Sequence, residues 1–336
     1  MSSQPPQTPF DVPGFPPRIE LTTTPTPLEH GGPLPSGAQL WVKRDDLTGL
    51  GAGGNKGRKL EYLCAEAIAH NADCLVTVGA AQSNHCRMTA AAGARLGLDT
   101  HLVLAGDTPT KLEGNQLLSH MFGATLHHTG YDDSQWKELE LFRSALTDDL
   151  RNQGRRPHSI PIGGSTPMGA LGYWRAFDEL MEQCQQQGFT PDVIIHTSSS
   201  GGTHAGLIAG LAHARSQLRP HCPVIAIGVA KGVALTAHSV FQLAHNTLSL
   251  ASSDAPIELS DIQIDSRFLG DGYAVPTEAG AAATRWAAQR GAWVLDSVYT
   301  AKGFSGVLGL DAEGMFSASQ NVVFIHTGGL PSVFAH

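Results

Sequence analysis

In the run Gly53-Gly54-Asn55-Lys56-Gly57-Arg58-Lys59, two glycines let the chain pass close to a ligand and a lysine follows at once. A lysine amine that loses its proton to burial or to neighbouring positive charge becomes a nucleophile toward a carbonyl carbon, and Arg58 and Lys59 can supply such charge. The run is no Walker loop, because the spacing of its first glycine and the Ser or Thr after the lysine are missing. The same residues would equally make a solvent-facing lysine at an ordinary helix start.

Three further groups share the character of small polar turns. Ser198-Ser199-Ser200-Gly201-Gly202-Thr203 lies between a strand reading (Asp192 to Thr197) and an apolar helix from His204. A strand, a small-residue turn and a helix present backbone N–H groups and a positive dipole end to a phosphate, and a turn without its own lysine suits a monoester held by amides and hydroxyls. A plain tight turn has the same composition. Gly79-Ala80-Ala81-Gln82-Ser83-Asn84-His85 also joins a strand end to a helix start, where Ser83 or Asn84 can serve simply as an N-cap. The last pair is Asp296-Ser297-Val298-Tyr299-Thr300-Ala301-Lys302 and His326-Thr327-Gly328-Gly329. In open α/β sheets ligands bind at carboxyl ends of strands, so all four groups can meet in one crevice. The 16 histidines include neither HxH nor HExxH, and the adjacent His127 and His128 point to opposite faces of a strand, which argues against a metal hydrolase.

The elements that must position these groups alternate. Short Val- and Ile-rich runs at Leu75 to Val78, His101 to Leu104, Ala124 to His128, Ser159 to Ile162, Asp192 to Thr197, Val224 to Val229, Trp293 to Asp296 and Val322 to His326 read as strands. Helical-period stretches fall between them, such as Asn84 to Leu98, Met168 to Gln187 and Pro276 to Arg290. Such alternation marks βαβ units on a parallel sheet. Leu60, Leu63, Cys64 and Ala67 keep the i, i+3, i+4, i+7 spacing, which predicts a helix just after Gly54 with Lys56 at its junction.

A chain of 336 residues suggests two domains, and 41% apolar against 15% charged residues is the balance of a folded enzyme. The net charge of −8 without a basic block argues against nucleic acid and anionic membrane as partners. The start MSSQPPQTPFDVPGFPP is a polar, proline-rich tail without a secretory pattern, and no apolar run reaches the roughly 18 residues of a membrane span, so a cytoplasmic location is expected. Five cysteines (Cys64, Cys74, Cys86, Cys184, Cys222) without CxxC spacing read as reduced, buried thiols.

Taken together, the stretches Thr26-Pro27-Leu28, Lys43-Arg44-Asp45-Asp46, GGNKGRKLEYL from Gly53, QSNH from Gln82, PIGGS from Pro161, GALGYW from Gly169 and SGGTHAG from Ser200 resemble the fold-type II pyridoxal-phosphate enzymes. Within these, the resemblance is to the D-cysteine desulfhydrase and 1-aminocyclopropane-1-carboxylate deaminase family, from about Pro25 to His336. It implies a tryptophan synthase β-like α/β fold with two open, twisted, mostly parallel sheets flanked by helices. A small domain, residues 59–165, would be inserted into a larger one formed by residues 1–58 and 166–336, in a homodimer.

The same resemblance implies pyridoxal 5′-phosphate as a Schiff base on Lys56, Asn84 on its 3′ oxygen, and Ser200, Gly201, Gly202 and Thr203 around its phosphate. Ser83 and Tyr273 would face a small amino-acid substrate, Tyr299 would lie close to the ring, and Thr327 would stand near the pyridine nitrogen. Substrate carboxylate and any charged β-substituent would draw donors from Ser83, Asn84, His85, His204 or Thr300. Lys56, once freed, would remove the α-proton, and a threonine near the ring nitrogen suits β-elimination of an easy leaving group. Thr300 and Thr327, where the cyclopropane deaminases resemble Glu and Leu, favour the desulfhydrase side, that is D-cysteine to pyruvate, sulfide and ammonia. An L-cysteate sulfo-lyase, a cyclopropane amino acid deaminase, and a binding protein without turnover are the competing readings. The chain departs from the family at Ala274, where Gly-Tyr-Gly is the pattern, and in its glycine-rich Gly49 to Gly54 run.

Overall fold

The computed structural model describes residues 10–12, 14–230 and 235–335; most of the polar N-terminal tail, residues 1–9 and 13, lies outside the described residues. The chain opens with β1 (Phe10–Val12), β2 (Phe15–Arg18), β3 (Leu28–Pro33) and β4 (Gln39–Lys43), followed by α1 (Lys56–Ala69). Next come β5 (Cys74–Gly79), α2 (Asn84–Leu96), β6 (Asp99–Leu104), α3 (Gly114–Met121), β7 (Thr125–His128), α4 (Trp136–Asn152) and β8 (Pro157–Ser159). The remainder runs α5 (Pro167–Gln186), β9 (Val193–Ser198), α6 (Gly202–Ser216), β10 (Val224–Gly228), α7 (Ala237–Leu250), β11 (Gln263–Asp265), α8 (Glu278–Gly291), α9 (Thr300–Ala312) and β12 (Asn321–Ile325).

Two open sheets carry the fold. The larger has the order β11-β10-β9-β12-β4-β3, parallel except for β3 at its edge. The smaller has the order β7-β6-β5-β8 and is wholly parallel. β5 is buried along its whole length, Thr77 included, as a strand covered on both faces is. The two-residue period of the larger sheet sorts its side chains between two cores. Ile195, Val322 and Phe324 pack with Ala301, Phe304 and Val307 of α9, while Ile194, Val323 and Ile325 pack with Ala170, Phe177 and Leu207 of α5 and α6.

Local signals place the helix starts. Ser83 caps α2, its hydroxyl accepting from Cys86 N at 3.1 Å, and Thr166 caps α5 ahead of Pro167 at the first turn. α1 begins at Lys56, where the apolar period predicts a loop-to-helix junction.

Two strand readings miss. Ser159 to Ile162 meets β8 only at Ser159, because Pro161 has no N–H for a ladder and Ile162 opens a 3-10 turn. Trp293 to Asp296 forms no ladder; Trp293 and Leu295 do bury, but Asp296 turns its carboxylate onto the amides of Val298, Tyr299 and Thr300, which caps α9 and removes the segment from the sheet. β3, β4 and β11 are strands that alternation does not reveal, being short and at or near an edge. No helix among the described residues is long and apolar enough to cross a membrane, and all five cysteines are buried and free.

Candidate active site

The loop that delivers Lys56 is clamped from three sides. Thr48 Oγ1 accepts from Gly54 N and donates to Gly54 O, both at 2.8 Å. The Arg87 guanidinium of α2 donates to the carbonyls of Gly51 and Gly53. Asn55 N donates to Thr327 O at 2.9 Å and Asn55 Nδ2 to Thr203 Oγ1 at 3.1 Å, so the residue before Lys56 ties the α1 start to the turns after β12 and β9. Gly328 is required by this approach: at φ +105, a Cβ on it would lie 2.7 Å from Gly54 Cα.

One cleft, enclosing about 700 Å³ of empty space partly open to solvent, receives these groups. Lys56 borders it from α1, and Ser83, Asn84 and His85 from the start of α2. Ser200, Gly201 and Thr203 face it from the turn after β9, and Tyr273, Tyr299 and Thr327 from the last third of the chain. The carboxyl ends of β5, β9 and β12 therefore meet at a single crevice, as ligand sites in open α/β sheets do.

Three of the residues expected there, Thr300, Gly202 and His204, do not border it. Thr300 is fully buried, and its hydroxyl donates to Asp296 Oδ1 at 2.7 Å and accepts from Asp296 N at 2.9 Å, so it completes the α9 cap. Gly202 lies one layer behind the wall, where its N–H donates to Ser165 Oγ at 3.2 Å. His204 is also fully buried and bonds His196: the carbonyl of Thr197 can only accept, so His196 Nδ1 carries its proton and His196 Nε2 accepts from His204 Nδ1 at 3.0 Å. Ser83 is the N-cap of α2 and also borders the cleft. Asn84 Oδ1 accepts from Asn115 Nδ2 at 3.0 Å, which turns its own amide N–H group away from that bond.

Burial sets the electrostatics. Lys56 is half-buried, and desolvation lowers its ammonium pKa to about 8. Arg58 does not lower it: its guanidinium is clamped by Asp45 and Glu179 on the far side of α1. His85 is buried and held neutral, its pKa pushed well below the usual imidazole range by desolvation and then by Lys56 and Lys59. Its Nε2 faces Thr77 Oγ1 at 2.8 Å and its Nδ1 has no partner. Burial raises both Tyr273 and Tyr299, whose hydroxyls bond each other and keep their protons at neutral pH. Tyr273 is followed by Ala274 at φ +58, a left-handed conformation that the glycine of the family pattern adopts without a Cβ penalty.

Lys59 is the functional candidate that the sequence reading passed over in judging the phosphate turn to lack a lysine. It is 1% exposed, and its Nζ donates to Gly163 O at 3.0 Å. A Cβ on Gly202 would lie 2.7 Å from Lys59 Nζ and 2.7 Å from Ser165 Oγ, so ammonium, hydroxyl and the amides of the α6 start form one cradle. Desolvation and the nearby Lys56 hold its pKa well below the usual lysine range, so an arriving dianion would stabilise its charged form. The signal was present in the spacing, since positions 56 and 59 lie on one face of a helix. Ser165 was visible only as part of PIGGS, and Asn55 and Trp136, which also border or frame the cleft, carried no pattern of their own. Buried polar atoms without partners at this wall, Ser198 Oγ and His85 Nδ1, are what a cleft built around a polar ligand leaves open. A half-buried lysine amine of lowered pKa and a turn of amides and hydroxyls thus line one cleft, and among the described residues no group of three His, Cys, Asp or Glu could hold a metal ion.

Comparison with known proteins gives the same answer. The family described as pyridoxal-phosphate dependent enzyme matches residues 19–328. A D-cysteine desulfhydrase of Salmonella typhi is 37% identical over 327 residues, covering 95% of this chain and 96% of that protein. An ACC deaminase homologue of known structure superposes with a TM-score of 0.83 at 36% identity, covering 95% of this chain and 94% of that one. A fungal L-serine ammonia-lyase from Rhizomucor miehei shares the fold at a TM-score of 0.60 and 19% identity, over 92% of this chain and 94% of that one. With the match running from the residue after β2 to the turn beyond β12, the chain belongs to the family of pyridoxal-phosphate dependent enzymes.

Proposed function

We propose that the protein is a carbon–sulfur lyase that converts D-cysteine and water to pyruvate, hydrogen sulfide and ammonia. The observation that carries this reading is the Lys56 amine, lowered to about 8, in one cleft with the phosphate cradle and the Tyr273–Tyr299 pair. The likeness to the Salmonella typhi D-cysteine desulfhydrase supports the choice of substrate.

Lys56 would hold pyridoxal 5′-phosphate through its aldehyde, with Ser200, Gly201, Gly202, Thr203, Ser165 and Lys59 about the phosphate. Asn84 would meet the 3′ oxygen and Thr327 the pyridine nitrogen side. The cofactor supplies an electron sink for the carbanion at Cα. The Lys56 amine, when not linked to the cofactor, would be placed to take the α-proton. Amides at the α2 start, with the Ser83 hydroxyl, offer donors for the carboxylate, whereas neutral His85 gives its one ring N–H to Thr77 Oγ1 and presents only an acceptor at Nδ1. One phenol of the Tyr273–Tyr299 pair donates to the other, which leaves one O–H to hydrogen-bond the departing sulfur. Thr300 acts in this reading through the Asp296 cap that seats Tyr299, and touches no substrate.

The division into a small domain of residues 59–165 and a larger one of residues 1–58 and 166–336 belongs to the same reading, with the cleft between the two sheets. So do a homodimer and a cytoplasmic location, the latter supported by five free, buried thiols.

A yellow protein with a visible absorbance band that borohydride removes, absent in Lys56→Ala, is the expected outcome. A keto acid should form from D-cysteine faster than from L-cysteine, L-cysteate or the cyclopropane amino acid, as pyruvate from the three-carbon substrates and as 2-oxobutanoate from the cyclopropane. Preference for L-cysteate with sulfite release would establish the sulfo-lyase instead, and a chain that takes up no pyridoxal phosphate would end the proposal.

A further inference from the structure

Trp136 opens α4 and is 7% exposed, yet its indole Nε1 is buried with no hydrogen-bond partner. An indole N–H can only donate, and buried donors in folded proteins nearly always find an acceptor. The side chains packed with it in its cluster, Val78, Ala80, Val103 and Leu139, offer none. Tyr273 meets it edge-on, with ring centroids 5.9 Å apart, but the Tyr273 hydroxyl is engaged with Tyr299. Ala105, Tyr131, Leu146 and Ile162 pack with the same cluster and leave Nε1 without a partner as well, and Trp136 also forms the wall of the cleft together with Ala80, Ile162 and Tyr273. That wall lies on the side of the smaller sheet, with Ser83 and Asn84, whereas the phosphate cradle is built from α6 and α1.

We propose that Trp136 is a substrate-binding residue whose indole N–H donates to an anionic oxygen of the amino-acid substrate. This rests on the cleft being the amino-acid site of a pyridoxal-phosphate enzyme. Two sources carry such an oxygen: the carboxylate shared by all amino acids, and an oxidised sulfur substituent on Cβ. Tryptophan suits either, because its ring completes an apolar wall while one fixed donor selects for negative oxygen over a neutral thiol.

Trp136→Phe keeps the ring against Tyr273 and removes the N–H. A hydrogen bond to a charged group lost in this way lowers kcat/KM about tenfold or more, carried by KM while kcat stays within about twofold. The loss falls equally on D-cysteine and L-cysteate if the carboxylate is held, and on L-cysteate alone if the sulfonate is. Independently, the Trp136 indole resonance in 15N-tryptophan-labelled holoenzyme, one of five, should shift when propanoate or 3-sulfopropanoate is titrated in. An unmoved resonance with both acids and an unchanged kcat/KM on every substrate would overturn the assignment. If the unaltered enzyme turns over none of the amino acids, the functional reading fails, while the resonance still decides on Trp136 alone.

Discussion

The first turn of α1 carries three cations within four residues, and its two sides treat them in opposite ways. On one side Arg58 makes paired bonds to Asp45, Nε to Oδ2 at 2.9 Å and Nη2 to Oδ1 at 2.8 Å, and a second pair to Glu179. Lys43 joins Glu179 at 2.5 Å, and the Tyr173 hydroxyl donates to Asp45 at 2.5 Å. The carboxylates hold the Arg58 pKa well above its ordinary value against the penalty of burial, and Arg58 in turn holds Asp45 below the usual carboxylate range. On the other side Lys56 and Lys59 have burial without a carboxylate, and both are lowered. Burial thus gives a fixed structural cation where acids converge and a reactive or anion-seeking amine where they are absent.

The largest effect is expected from breaking the paired side. Arg58→Ala leaves Asp45 without its main counter-charge in a dry site, for which the loss is about 3–5 kcal/mol of stability. The urea midpoint of the apoprotein should fall accordingly. A loss under about 1 kcal/mol would mean that Thr26, Tyr173 and Lys43 suffice to hold the two acids.

The unpaired side should answer in the opposite sense. A buried lysine with a depressed folded pKa binds fewer protons than the unfolded chain up to its ordinary value of about 10.5, so its cost to stability shrinks as pH rises toward that value. Lys59→Met removes this cost, so the apoprotein variant should melt above the wild type near neutral pH, with the gap narrowing as pH approaches 10. The same change should weaken pyridoxal phosphate binding about 10–100-fold, the worth of a charge-assisted hydrogen bond. Lys56 itself, at about 8, should capture the aldehyde with a rate that climbs about tenfold per pH unit below that value and levels above it. A rate still climbing to pH 10 would show an ordinary lysine and undo the contrast.

This contrast marks where sequence reading stopped. Glycine-rich turns at strand ends located the cleft, because conformational freedom and backbone donors are written in residue type: Gly53-Gly54, Gly201-Gly202 and Gly328-Gly329 all declare it. Apolar period placed the start of α1 at Lys56 and most of the parallel strands. The partners of a charge are written elsewhere in the chain. Asp45 and Glu179 reach Arg58 across 13 and 121 positions, and Lys59 reaches Gly163 across 104, so nothing local in KGRK separates the neutralised cation from the two free ones. Trp293 to Asp296 failed for a related reason, since the capping carboxylate of Asp296 outweighs the strand propensity of its neighbours. Thr300 is expected in the cleft only from the family resemblance, whereas its hydroxyl direction is set by that cap.

The smallest effect tests whether pairing or burial carries the argument. Arg151 meets Asp148 at 2.8 Å, the same separation as Arg58 and Asp45, but with side chains 57% and 61% exposed against 4% and 0%. In water the attraction is screened and offset by the cost of ordering two long side chains, so such a pair contributes about 0–1 kcal/mol. Arg151→Ala should therefore move the urea midpoint by no more than about 0.5 kcal/mol equivalent, and less at high salt. The ratio between the two arginine variants, not either value alone, measures how far exclusion of water determines what a charge does in this protein. Near-equal losses would mean that the separation, and not the dry setting of α1, governs the outcome.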